Sequence, residues 1–211
     1  MFRSLKYRRF SALSLDLLLI SLLTMLLTNN TISNPYYNDY LYNMDEYNKL
    51  VESTPTIYSN PDDLNNYVNK LAPTMYNMNK SRVFYFIWSV VLSILYFVLF
   101  QYSTGGQTIG KKLYKLKVTN KENKKISISR LFLRTFFIGE MYLFDGIVIV
   151  SILNILGILL IHDPNTYMIY FSSVNFIAII FEIFMIVYFV KNKNNESFHD
   201  KLFKTKVIDA K

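Results

Sequence analysis

No cysteine occurs anywhere in the 211 residues. That excludes a disulfide framework, a thiolate metal site and a cysteine nucleophile. Glycine is scarce, with six residues, and so is proline, with five. Four of the prolines (Pro35, Pro55, Pro61 and Pro73) fall between Asn29 and Arg82, so little elsewhere interrupts long helices. Histidine occurs only at His162 and His199. Negative charge is in short supply, with 15 Asp+Glu against 23 Lys+Arg and a formal charge of +8. A disordered chain is excluded, because 52% of the residues are hydrophobic. No nucleic-acid partner is expected either, since a chain of mean hydropathy +0.20 must keep its Leu, Ile and Phe out of water.

Long apolar runs are abundant. Phe10 to Thr28 is interrupted only by Asp16, Val83 to Tyr102 carries no charge, and Tyr167 to Val190 holds only Glu182. Each fits one membrane crossing of about 20 residues. Leu131 to Ile161 is too long for one crossing. It divides into an interfacial helix, 127–138, and a span, 139–161. Spans are therefore expected at about 10–28, 83–102, 139–161 and 167–190. The first is read as a retained anchor, because Asn29-Asn30-Thr31 offers no small-residue cleavage site.

Orientation follows from Lys and Arg. The segments before span one, between spans two and three, and after span four hold 18 basic and four acidic residues. The other two loops, 29–82 and 162–166, hold four basic and seven acidic. Both termini are expected in the cytoplasm of a bacterial cell. The 29–82 loop is expected outside as a helical insertion. Within it, Asn60-Pro61-Asp62-Asp63 reads as a helix start. Leu64, Tyr67, Val68 and Leu71 continue that helix, Pro73 is expected to stop it, and Leu41, Met44, Tyr47 and Val51 sketch another. Such helices either pack on each other and on the span ends or meet a protein partner.

Lys112-Leu-Tyr-Lys-Leu-Lys-Val118 and Lys201-Leu-Phe-Lys-Thr-Lys-Val207 agree at five of seven positions. Each follows an even-numbered span, and each alternates as a strand does. Chance in a Lys-rich chain competes with a true repeat. The repeat implies two parallel two-helix halves and a small cytoplasmic β-ribbon. The expected fold is thus an all-α membrane protein: a four-transmembrane-helix bundle, N-in/C-in, with that ribbon and the extracytoplasmic helical loop.

Four stretches resemble the RDD family of bacterial membrane proteins. They are Arg8-Arg9-Phe-Ser-Ala12-Leu-Ser-Leu-Asp16, Gly106-Gln107-Thr108-Ile-Gly110-Lys111, Ser127-Ile-Ser-Arg-Leu-Phe-Leu-Arg134 and His199-Asp-Lys-Leu-Phe-Lys-Thr205-Lys-Val207. They cover most of the chain outside 29–82. The family is named for one Arg and two Asp. The resemblance implies Arg9 (or Arg8) with Asp16, and either Asp145 or Asp200 as the second Asp. For some members it also implies transport, including cation/proton exchange.

Asp16 lies about six residues, roughly 9 Å, into span one. A carboxyl there costs about 2.5–3.5 kcal/mol on insertion scales and needs water, a partner or a raised pKa. Asp145 and Glu182 are expected at similar depth in spans three and four. Three readings stay open. Carboxyls with raised pKa exchange protons for cations, or Arg9 and Arg134 neutralise the acids and lock the helices, or the carboxyls contact some other ligand. Gly105 to Lys111 fits the letters of a phosphate-binding loop, but Lys112 stands where Ser or Thr must hold Mg²⁺ and no buried strand precedes it. A glycine turn at headgroup level is expected instead. The basic 111–130 segment suits anionic lipids. The two His fall on opposite sides of the membrane, so no metal centre is expected, nor any cofactor or enzyme activity. The functions carried forward are a small transporter or transporter module for a cation, proton or small solute, working as a homo-oligomer, and an accessory protein whose 29–82 loop binds an extracytoplasmic partner.

Overall fold

The computed structural model describes residues 4–52, 61–136 and 148–210. The helices are α1 (Leu5–Thr28), α2 (Tyr37–Glu52), α3 (Pro61–Ser81), α4 (Val83–Ile94), α5 (Gln101–Ser103), α6 (Ile109–Leu113), α7 (Ile128–Thr135), α8 (Val148–Leu160), α9 (Pro164–Lys191) and α10 (Phe198–Leu202). A π-helical stretch, Leu95–Phe100, joins α4 to α5, and two strands, β1 (Leu116–Asn120) and β2 (Thr205–Asp209), pair with each other. Among the described residues, three helices are long and apolar enough to cross a membrane: Leu5–Thr28, Val83–Ser103 and Pro164–Lys191. The expected span 139–161 is represented by α8 alone, a largely apolar helix of 13 residues, because its first part lies outside the described residues.

The chain divides into two compact units. The first comprises residues 1–24, 89–151 and 177–211. Its expected β-ribbon is present and antiparallel, with Val118 opposite Val207. Leu116, Val118 and Val207 turn inward and pack with Ala12, Val98, Ile126 and Leu131. The repeat is larger than its identities suggest. The same residue-for-residue offset relates Thr108 to Ser197 as helix N-caps, α6 to α10, Lys115 to Lys204 and β1 to β2. Lys115 and Lys204 both take a left-handed φ of 53°, which reverses the chain from helix into strand. In the π-helical stretch the consecutive residues Tyr96, Phe97 and Val98 are all buried. A regular one-faced helix cannot bury three in a row, and the wider turn makes room for it. The expected interfacial helix 127–138 is α7, whose Leu131 belongs to the core while Phe132 stays exposed.

The second unit comprises residues 25–88 and 152–176. The end of α1 is tied down by asparagines. Asn30 Nδ2 donates to the Leu26 carbonyl at 2.9 Å, Asn34 Nδ2 donates to that of Thr28 at 3.0 Å, and Asn30 Oδ1 accepts the Ile32 and Ser33 N–H groups. Carbonyls that the helix leaves unpaired are thereby satisfied. The two expected helices of the 29–82 loop are α2 and α3, and they lie side by side, with Asn43 Nδ2 3.4 Å from Ser81 Oγ. Pro73 does not stop α3 as expected: the helix runs through it to Ser81. Proline removes one N–H bond and crowds the preceding turn. Here Thr74 Oγ1 donates to the Lys70 carbonyl at 2.9 Å, and the neighbouring Ala72 is fully buried, so packing holds the helix together across the break. Phe86, Ile158 and Tyr167 centre this unit's core. Gly157 admits the Tyr170 ring, which would lie 2.4 Å from a Cβ there. Asp163 caps α9 by accepting the Thr166 hydroxyl and N–H at 2.7 and 2.8 Å, and these bonds hold its carboxyl below its ordinary pKa.

Candidate functional site

One face of α1 carries Arg9, Ala12 and Asp16 at helical spacing. That face meets the start of α6 at Asp16 and the start of α10 at Arg9.

Before α6, Gly105 and Gly106 take φ values of +70° and +95°. Gly106 is pinned where its N–H donates to the Gln101 carbonyl and its own carbonyl accepts the Val118 N–H, both at 2.8 Å. A Cβ on Gly106 would lie 2.2 Å from the Val118 carbonyl oxygen, so glycine is required by space as well as by φ. Gln107 Nε2 donates to the Leu116 carbonyl at 2.9 Å, which ties the turn to β1. Thr108 caps α6 by accepting the Lys111 N–H, and its hydroxyl proton goes to Asp16 Oδ2. Asp16 Oδ1 accepts the Gly110 N–H at 2.7 Å and the Tyr96 hydroxyl at 2.5 Å. Gly110 permits this approach, since a Cβ there would meet the Ala12 carbonyl at 2.2 Å and Asp16 Oδ1 at 2.8 Å. Lys111 Nζ lies 3.7 Å from Asp16 Oδ2 and 3.2 Å from Thr108 Oγ1. Asp16 is wholly buried.

The equivalent start of α10 is built with the charges exchanged. Ser197 caps it and Asp200 completes a capping box, with Ser197 Oγ 2.7 Å from Asp200 Oδ2. Arg9 donates to Asp200 Oδ2, to Ser197 Oγ and to the Asn195 carbonyl. Arg134 lies 3.0 Å from Asp200 Oδ1, Thr205 Oγ1 donates to that same oxygen at 3.0 Å, and His199 stands 3.1 Å from Arg134. Lys111 and Asp200 hold equivalent places in the repeat. Each is matched by an opposite charge on α1, two turns apart.

Burial pushes the Asp200 carboxyl up, but Arg134, Arg9, His199 and the Ser197 hydrogen bond outweigh it and hold the group well below the usual range. Lys111 goes the other way. Burial, with Arg134 and Arg9 nearby, lowers its pKa to about 8 against the pull of Asp16 and Asp200. Beside these groups lies a cavity of about 300 Å³, walled by Phe10, Leu13, Ile186 and Phe189 among others, with Lys6, Arg9, Lys111 and Arg134 at its edge.

The structure thus brings together Arg9, Asp16, Gly106, Gln107, Thr108, Gly110, Lys111 and Asp200. Several expectations change. Arg9 pairs with Asp200 and not with Asp16 on its own helix, while Arg8, its side chain largely buried, pairs with the exposed Asp209 at 2.6 Å. Lys111 is buried over the Phe97 ring after the expected glycine turn, and Lys112 is the exposed one. Glu182 is buried in α9. Asp145 lies outside the described residues, so its place in any carboxyl layer is not described. Among the described residues, no three of His, Asp and Glu gather as a metal set. Tyr96 leaves no local signal, because its hydroxyl is 80 residues from its carboxylate partner, whereas Ser197 stands three residues before Asp200 in the spacing of a capping box.

No curated protein and no solved structure matches the chain. The RDD family model matches residues 5–204, nearly the whole length, and the chain therefore belongs to the RDD family.

Proposed function

We propose that the chain is a non-enzymatic accessory module of a bacterial plasma membrane, with four spans and both termini cytoplasmic. In this reading the family's Arg and Asp residues hold the cytoplasmic end of the bundle together. The observation that carries it is the engagement of Asp16. It accepts Tyr96, Thr108 and the Gly110 N–H, and has Lys111 beside it, so it is held as a satisfied structural carboxylate. The charged side chains on the described cavity wall are all basic, which suits a cation path poorly. The outward contact is assigned to the 29–82 segment, where α2 keeps Leu41, Tyr42 and Val51 exposed.

The transport reading is kept because a cavity lies beside a lysine of lowered pKa. In this second reading a small anionic solute is favoured over a cation. Liposomes with purified protein separate the two. The accessory reading expects neither cation/proton exchange nor uptake of small anions above protein-free vesicles. Robust exchange abolished by Asp16→Asn in normally assembled protein would replace it with transport.

A further inference from the structure

We propose that the cavity beside Lys111 binds the anionic headgroup and the first methylenes of a bilayer phospholipid. The cavity lies between the first turns of α1, with Tyr7, Phe10 and Leu13, and the last turns of α9, with Ile186, Phe189 and Val190. Both helices are long and apolar enough to cross a bilayer. Their ends here carry Lys6, Arg8, Arg9, Lys191 and Lys193, the residues that settle at headgroup level. The cavity is therefore at the depth where a headgroup gives way to acyl chain.

Its walls have two kinds of chemistry. Most of the surface is apolar side chain, which gives a water-soluble anion little to bind. The charged side chains on the described wall, Lys6, Arg9, Lys111 and Arg134, are all basic. Arg9 and Arg134 are engaged by Asp200. Lys111 is a buried cation with donor capacity left. Its ammonium has three N–H donors. It makes one hydrogen bond, to Thr108 Oγ1, and its carboxylate neighbour stands off at 3.7 Å because Asp16 already holds three closer donors. A buried ammonium compensated from that distance is costly. A phosphate oxygen in the cavity completes it. The lowered Lys111 pKa of about 8 agrees with such under-compensation. A volume of about 300 Å³ equals roughly ten water-sized groups, enough for a phosphate and a short length of chain. The apolar walls favour lipid phosphate over free phosphate, and the basic edge favours an anionic headgroup over a zwitterionic one.

The full chain is placed in nanodiscs of equal phosphatidylglycerol and phosphatidylcholine, released in the gas phase, and examined by native mass spectrometry for retained lipid. One retained phosphatidylglycerol is expected. Lys111→Met should weaken its retention at least tenfold, and the exposed-surface control Lys201→Gln should leave it unchanged. Ile186→Trp projects a ring into the cavity from a half-exposed position of α9 and should displace the lipid with every charge intact, so it decides the matter if Lys111→Met does not assemble. Equal retention of phosphatidylcholine overturns the anionic headgroup. Displacement of the lipid by millimolar inorganic phosphate, itself then retained, assigns the cavity to free anion and overturns the lipid. Retention unaffected by Ile186→Trp overturns the location.

Discussion

Asp16 shows how a buried carboxylate becomes a structural part. Its two oxygens accept the Tyr96 hydroxyl, the Thr108 hydroxyl and the Gly110 N–H, and the α6 N-terminus adds favourable partial charge. Asn at this position would turn an NH₂ toward groups that themselves donate and would leave Lys111 without its counter-charge. Asp16→Asn should therefore cost about 3–5 kcal/mol, the range for breaking a buried pair. Tyr96→Phe removes one donor and orphans the Ile109 N–H, which now bonds the Tyr96 oxygen at 3.0 Å, and should cost about 1–3 kcal/mol. Thermal unfolding of the two variants in detergent checks the order, and a larger loss for Tyr96→Phe would contradict the assignment. Lys111 adds a pH signature. Its pKa falls from 10.5 to about 8 on folding, so between those values the unfolded chain binds more protons and stability rises with pH. Below about 8 both states are protonated and the penalty is constant. The melting temperature of wild type relative to Lys111→Met should accordingly climb from pH 8 to pH 10 and stay flat from pH 6 to pH 7.5. None of this was visible in one dimension. Burial of Asp16 in an apolar run was legible, whereas its partners come from two distant stretches of chain, Tyr96 and 108–111.

At the scale of elements, the paired helix–turn–strand motifs were half legible. Lys112 to Val118 and Lys201 to Val207 share enough residues to predict a ribbon, and the ribbon forms with Val118 opposite Val207. The preceding halves had lost their likeness, since Gly110 corresponds to His199 and Lys111 to Asp200. What persists there is physical: an N-cap hydroxyl at Thr108 and Ser197, and a charge at the third helical position that meets its opposite on α1. Pro73 lies inside α3 because a proline's local cost is overridden where packing supports the flanking turns. The register can be checked chemically. Lys117 lies directly opposite Ile208, and opposed residues of an antiparallel pair are about 4.5–5.5 Å apart, within disulfide reach. Lys117→Cys with Ile208→Cys should cross-link on mild oxidation. Lys117→Cys with Val207→Cys should not, because a one-residue slip turns the side chains to opposite faces. Cross-linking of the second pair alone would move the register.

For the whole molecule, the charge of +8 separates by topology: the three segments expected in the cytoplasm hold 18 basic and four acidic residues. The same absence that excludes thiol chemistry makes the orientation directly testable, since any cysteine introduced into the chain is the only one it has. Tyr42 lies on α2 within the 29–82 segment and is 68% exposed, while Leu202 lies at the end of α10 and is 50% exposed. A membrane-impermeant maleimide should label Tyr42→Cys in intact cells whose outer barrier, where there is one, has been opened. Leu202→Cys should be labelled only after the plasma membrane is permeabilised. The pair also tests the span count. With α1, Val83–Ser103 and α9 as the only crossings, Leu202 would lie across the membrane from the N-terminus, and a Ser4→Cys variant would be labelled in the opposite compartment from Leu202→Cys. With the expected fourth crossing ending in α8, Ser4→Cys and Leu202→Cys are protected together. Joint protection is the expected result, because Arg9 of α1 and Asp200 of α10 are ion-paired, and a pair in contact at the ends of their segments belongs to one side of the bilayer.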